Sequence, residues 1–78
     1  MDAKHIPIKK RSVRIKGHAT SVTLEEPFWD VLREIAALRG LSLNKMIAEI
    51  DEGNPDNLSS AIRVFILRDL QARLESDD

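Results

Sequence analysis

No cysteine occurs in this chain of 78 residues. Disulfides and thiolate metal sites are therefore excluded, and the composition fits a reducing compartment. Two histidines without a cysteine leave a structural zinc site short of its usual ligands. No apolar run approaches the ~18 residues of a membrane span. The basic start MDAKHIPIKKRS has no apolar stretch behind it, so it is not expected to act as a signal peptide. The expected location is the cytoplasm. No glycine-rich loop is present to cradle a phosphate, and no nucleophile, base and metal-ligand set is spaced for catalysis. Neither an enzyme nor a cofactor nor a bound metal is expected. No internal repeat or low-complexity run appears.

Charge is present but unevenly placed. The net charge is −1. Residues 1–24 carry +5 and residues 25–78 carry −6. A basic segment joined to an acidic body points to a polyanion contact on one side of the molecule. Residues 1–10, with Pro7 and three lysines, read as a flexible basic arm.

Residues 11–24, RSVRIKGHATSVTL, are the only part with β character. Val13 and Ile15 are apolar at odd positions, Val22 and Leu24 at even ones. One regular strand cannot place all four on one face. Gly17-His18 lies at the switch and allows a bulge, a break or a two-residue hairpin turn. In the hairpin, 15 would face 20 and 13 would face 22. The four apolar residues would then share one face, and Arg14, Lys16, Ala19, Ser21 and Thr23 the other. In every case residues 19–24 form a strand with Val22 and Leu24 inward.

Pro27 after Glu25-Glu26 marks a helix start, with the carboxylates favoured by the helix dipole. Phe28, Val31, Leu32, Ile35 and Leu38 recur at helical spacing, and Gly40 closes a first helix over 27–39. Trp29 flanks that stripe and is expected to pack beneath the third helix. Ser42 is a good N-cap for a second helix over 43–52, with Leu43, Met46, Ile47 and Ile50 as its apolar stripe. Gly53-Asn54-Pro55-Asp56 is a breaker. Asn57 or Ser59 then caps a third helix over 58–75, followed by a frayed, solvated tail at 76–78. The apolar residues Leu58, Ala61, Ile62, Val64, Phe65, Ile66, Leu67, Leu70 and Leu74 make its face wider than one small chain can bury. His18 reads as a turn or hydrogen-bonding residue rather than a ligand.

A strand without a partner leaves its backbone groups unpaired. A second copy of the chain, pairing strand to strand about a twofold axis, would satisfy them. At this point the sequence resembles the ribbon-helix-helix (Arc/MetJ-type) DNA-binding family, and within it a bacterial group of short ribbon-helix-helix domain proteins. The strand Thr20-Ser21-Val22-Thr23-Leu24, the helix beginning Phe28-Trp29, the segment Gly40-Leu41-Ser42-Leu43-Asn44-Lys45-Met46-Ile47 and the later Asn57-Leu58-Ser59-Ser60-Ala61 carry the likeness.

The resemblance implies a mainly α fold with a short β-ribbon, as an intertwined homodimer with an additional C-terminal helix. It implies a transcriptional regulator whose two-chain antiparallel ribbon enters the DNA major groove. Ala19, Ser21 and Thr23 would face the bases. Lys9, Lys10, Arg11, Arg14 and Lys16 would meet phosphates, as would Ser42, Leu43 and Asn44 at the start of the second helix. Val22, Leu24, Phe28, Leu32, Ile35, Leu43, Ile47 and Ile50 would form the dimer core. The base-facing residues are small, so Arg14, Lys16 and His18 would have to add contacts. The third helix would brace the dimer, pack at its centre through 57–70, or bind a partner protein. That last role makes an antitoxin-like interaction module the alternative function. Removing residues 1–11 is expected to flatten the salt dependence of DNA binding.

Overall fold

The computed structural model describes residues 5–53 and 55–76. Two strands are followed by three helices: β1 Ile8–Ile15, β2 His18–Glu25, α1 Glu26–Leu38, α2 Leu43–Asp51 and α3 Leu58–Glu75. The strands pair antiparallel, from Ile15 opposite His18 to Ile8 opposite Glu25. The turn between them is Lys16-Gly17, and both residues have positive φ, 53° and 82°. Positive φ at both central residues is the type I′ geometry, whose twist suits a tight hairpin.

The hairpin alternative is therefore the one adopted, but its register differs from the expected one by two residues. A turn at Gly17-His18 would start the pairing at 16 opposite 19 and end it at 10 opposite 25. The observed turn pairs eight residues of each strand and carries β1 back to Ile8. A shift of two keeps every side chain on its own face. Val13, Ile15, Val22 and Leu24 still point inward together, and all four are buried.

One expectation is corrected here. The basic arm does not extend to residue 10, because Ile8, Lys9 and Lys10 belong to β1. Residues 5–7 have no regular structure, residues 1–4 lie outside the described residues, and the Pro7 carbonyl accepts from the Glu26 N–H at 2.9 Å, closing the hairpin's open end. β1 gives β2 one partner within the chain, and each strand of this two-stranded sheet keeps an outward edge. Asn54 of the predicted breaker and residues 77–78 of the predicted tail lie outside the described residues as well.

Gly17 has nothing within 4 Å of the place a Cβ would take. A Gly17→Ala change thus costs only its backbone conformation, about 1 kcal/mol. Thermal unfolding of that variant is expected to show a modest loss, and a loss several-fold larger would mean the turn has some other role.

The helices close over the ribbon's apolar face. α1 begins with Pro27 in its first turn and ends at Gly40, whose φ is +70°. The Leu41 N–H bonds the Ala36 carbonyl at 2.9 Å and the Gly40 N–H bonds the Ala37 carbonyl at 3.1 Å, a Schellman closure. Ser42 caps α2, its Oγ accepting from the Lys45 N–H at 3.0 Å. Asn57, rather than Ser59, caps α3, accepting from the Ser60 N–H at 3.0 Å.

The core comprises Val13, Ile15, Val22, Leu24, Trp29, Leu32, Ile35, Ala36, Met46, Ile47, Ile62 and Ile66. Trp29 is 1% exposed, and its indole N–H donates to the Lys9 carbonyl at 3.0 Å while Arg11 lies over the ring at 5.6 Å. Its polar partner is therefore β1 and not the third helix.

Two ion-paired carboxylates tie α3 to the rest. Glu25 accepts from Arg63 at 2.9 Å, and that bond, followed by a backbone one, holds its pKa below the ordinary value. Burial pushes the Asp69 carboxyl up, but hydrogen bonds from Arg73 and Arg39, each 2.8 Å long, outweigh it and hold the pKa down. Both carboxyls bind protons more readily in the unfolded chain. Their stabilisation is thus complete above the unfolded values and is lost as the pH falls through the lowered folded ones. The thermal midpoint is expected to drop below about pH 4. Asp69→Asn should make that drop shallower and cost about 1 kcal/mol at neutral pH. An unchanged acid limb in the variant would remove Asp69 from this account.

Candidate nucleic-acid interface

The hairpin has two unlike faces. The inner one rests on the helices. The outer one carries Lys10, Ser12 and Arg14 from β1 and Ala19, Ser21 and Thr23 from β2, with Lys16 in the turn, and all seven are exposed. Across the strands Arg14 lies opposite Ala19, Ser12 opposite Ser21 and Lys10 opposite Thr23. No carboxylate lies among these seven, and at the hairpin's open end the same face continues with exposed Ile8 opposite half-buried Glu25, which is paired with Arg63. The outer face is a two-stranded strip of small hydroxyl residues edged with cations, and a B-DNA major groove admits a strip of that width.

The residues expected at DNA fall into three sets. Ala19, Ser21, Thr23, Lys10, Arg14 and Lys16 are brought together on this face. Lys9 and Arg11 alternate onto the other face, where Lys9 pairs with Glu26 at 3.2 Å and Arg11 covers Trp29. Ser42, Leu43 and Asn44 stand at the start of α2. Ser42 spends its hydroxyl on the cap. Leu43 is half-buried against the core. The Asn44 amide accepts from the Arg14 N–H at 3.1 Å and donates to the Arg14 carbonyl at 2.6 Å. Its side chain thus clips α2 to the free edge of β1 in the way a neighbouring strand would.

The edge of β2 is held in a matching way. The Thr23 N–H donates to the Ser59 hydroxyl at 3.2 Å, and Arg63 reaches the Thr23 carbonyl at 3.5 Å. Ser12, Ser59 and Arg63 were not singled out as site residues from the sequence. Ser12 could have been found from the lysine-glycine turn, which sets the register. Ser59 and Arg63 carry no local signal, because their partners lie 36 and 40 residues away.

The residues assigned to a dimer core divide as well. Val22, Leu24, Leu32, Ile35 and Ile47 are at most 1% exposed within the single chain. They belong to the core within the single chain. Phe28, Leu43 and Ile50 are half-buried around that core. On α3, Ile62 and Ile66 face inward, whereas Val64, Leu67, Leu70 and Leu74 are exposed, from 40% for Leu70 to 74% for Leu74. The expected excess of apolar surface on this helix is real. Phe28, Arg63, Val64, Ile66, Leu67 and Leu70 line a groove of about 270 Å³ along it.

Among the described residues no group of three or more histidines or carboxylates is placed to hold a metal, and no helix is long and apolar enough to cross a membrane.

An antiparallel two-stranded ribbon leading into successive short helices defines the ribbon-helix-helix architecture. Residues 8–70 match the model of the ribbon-helix-helix domain family. The chain belongs to that family, whose domains characterise DNA-binding transcription regulators and are typically non-enzymatic. It is also similar to the solved structure of an uncharacterized protein from Bordetella pertussis Tohama I. The two are 35% identical with a TM-score of 0.83, over 97% of this chain and 66% of that one. This chain therefore spans slightly less than two thirds of that protein's length. No curated protein matches.

Proposed function

We propose that the protein is a cytoplasmic DNA-binding regulator that lays the outer face of its β-ribbon into the major groove. The observation that carries this reading is the face itself: seven exposed residues, three of them cations and none acidic, on a two-stranded ribbon backed by a rigid core. Ser21 and Thr23 meet base edges, and Ala19 offers apolar contact to a thymine methyl. Arg14 and Lys16 neutralise phosphates on either side. The first backbone N–H groups of α2, those of Leu43 and Asn44, take a further phosphate oxygen.

A homodimer belongs to this reading, because two copies on a palindromic site bind far more tightly than one. Its support is no longer an unpaired strand but the outward apolar row of α3 and the groove beside Phe28. The same row supports the second reading, an interaction module that captures a partner protein in the manner of an antitoxin.

The deciding experiment is retention of sheared genomic DNA by the purified protein at about 0.15 M salt, with the retained fragments sequenced. A recurrent palindromic site establishes a sequence-specific regulator. Retention without a recurrent site means charge-driven binding only. If no DNA is retained, the DNA reading fails and the α3 row becomes the functional surface.

A further inference from the structure

We propose that α3 carries a self-association seam, in which two copies of the chain lay their third helices together antiparallel along the stripe Arg63, Leu67, Leu70 and Leu74. This inference rests on the homodimer of the reading above and not on its DNA contacts. It adds to a two-chain ribbon and leaves that ribbon in place.

The stripe itself is the first ground. Positions 63, 67, 70 and 74 follow one another at alternating steps of four and three, so they lie along one side of α3. That is the spacing of a two-helix seam. Ile62 and Ile66 take the core side, whereas Leu67, Leu70 and Leu74 are exposed. From Leu70 to Glu75 every residue of α3 is exposed. A helix end that packs on nothing is marginal in water, and a second helix along its leucines would hold it.

Self-complementarity is the second ground. A twofold interface sets one residue against another and the second against the first. With the axis between Arg68 and Asp69, antiparallel helices bring Leu67 to the partner's Leu70 and Arg63 to the partner's Leu74. The partner's Glu75 is then one residue from Arg63, so apolar residues meet apolar ones and a cation meets an anion. A parallel arrangement would set Arg63 against the partner's Arg63, a like-charge contact. The stripe therefore matches a reversed copy of itself and not a copy running the same way.

The third ground is the surface beside the stripe. The groove of about 270 Å³ is lined by Phe28, Arg63, Val64, Ile66, Leu67 and Leu70. It lies where the antiparallel arrangement delivers the partner's Leu74, and a leucine suits its apolar lining. The groove also adjoins the outward edge of β2, because Arg63 of the stripe reaches the Thr23 carbonyl at 3.5 Å and Ser59 accepts from the Thr23 N–H at 3.2 Å. The stripe and that strand edge thus lie on one side of the chain. A copy that pairs with the edge also reaches the stripe.

Sedimentation equilibrium of the full chain at about 0.15 M salt tests the seam. The parent is expected to dimerise. Leu67→Glu should raise the dissociation constant about 100-fold, and Leu74→Glu, at the end of the stripe, about 10-fold. Glu75→Arg should raise it about 3-fold, with the difference shrinking at about 1 M salt. Leu74 is 74% exposed, so its variant folds as the parent does, which circular dichroism checks. If the parent dimerises and both leucine variants keep its dissociation constant, the ribbon alone holds the dimer and the inference is overturned. An unweakened Glu75→Arg overturns the antiparallel arrangement. A monomeric parent overturns the seam and leaves the stripe to a protein of another sequence. The DNA reading fails separately: weakened leucine variants of a parent that retains no duplex support the seam and defeat that reading alone.

Discussion

Replacing Trp29 with alanine is expected to leave most of the protein unfolded near body temperature. Removing a buried indole costs about 3–5 kcal/mol through lost transfer energy and the cavity left behind. A domain of this size commands roughly that much in total. The side chain is almost fully buried in the core, so its removal leaves a cavity. Its N–H also satisfies the Lys9 carbonyl. Trp29→Phe keeps most of the apolar volume and loses that hydrogen bond, so it should cost about 1–2 kcal/mol and leave a cooperative transition. Urea unfolding followed by circular dichroism measures both. A cooperative Trp29→Ala variant within about 1 kcal/mol of the parent, on the scale of these core costs, would show that Trp29 is not the keystone of this core.

Neutralising Arg14 and Lys16 together is expected to weaken duplex-DNA binding about 30-fold at about 0.15 M salt. The figure follows from counterion release, in which each phosphate contact adds about −0.9 to the slope of log K against log salt. Losing two contacts should lower that slope by about 2, so the deficit grows as salt is reduced. Arg14→Gln and Lys16→Asn are the suitable changes. Asn44 holds the backbone of residue 14, not its side chain, so the clip survives. Asparagine is favoured at the first position of a type I′ turn, where Lys16 now carries a φ of 53°. The Arg14 side chain also reaches the exposed Gly17 carbonyl at 3.3 Å, a contact the variant loses, so the double variant should fold about as well as the parent. A salt slope equal to the parent's would mean that these cations do not touch phosphates. Deleting residues 1–11, the change first prompted by the sequence, cannot serve here. It would remove Ile8 to Arg11 from β1, and with them half of the ribbon's pairing.

Much of this architecture is legible in local chemistry. Pro27, Gly40, Ser42 and Asn57 mark helix boundaries because capping and backbone conformation depend on residues within one turn. The period-two alternation of residues 13–15 and 22–24 assigns faces, and a face is preserved even when the register moves by two. Hence Ala19, Ser21 and Thr23 are placed outward whichever turn forms. The excess apolar surface of α3 is likewise visible in composition, since Val64 and Leu67 cannot share the face of Ile62 and Ile66.

What the sequence by itself determined is the order and extent of the helices, the faces of the strands and the likeness to a DNA-binding family. Each depends on neighbours a few positions apart. Only the tertiary structure decided the hairpin's register, where Arg11 and Lys9 turn, and which side chains bond the ribbon's edges at Arg14 and Thr23. Those outcomes depend on contacts between distant residues, such as Asn44 with Arg14 and Ser59 with Thr23. A lysine accepting a left-handed turn extended β1 into a segment that composition had marked as a loose arm. That one local strain, of about 1 kcal/mol, is outweighed by eight cross-strand pairs and by the burial of Val13 and Ile15.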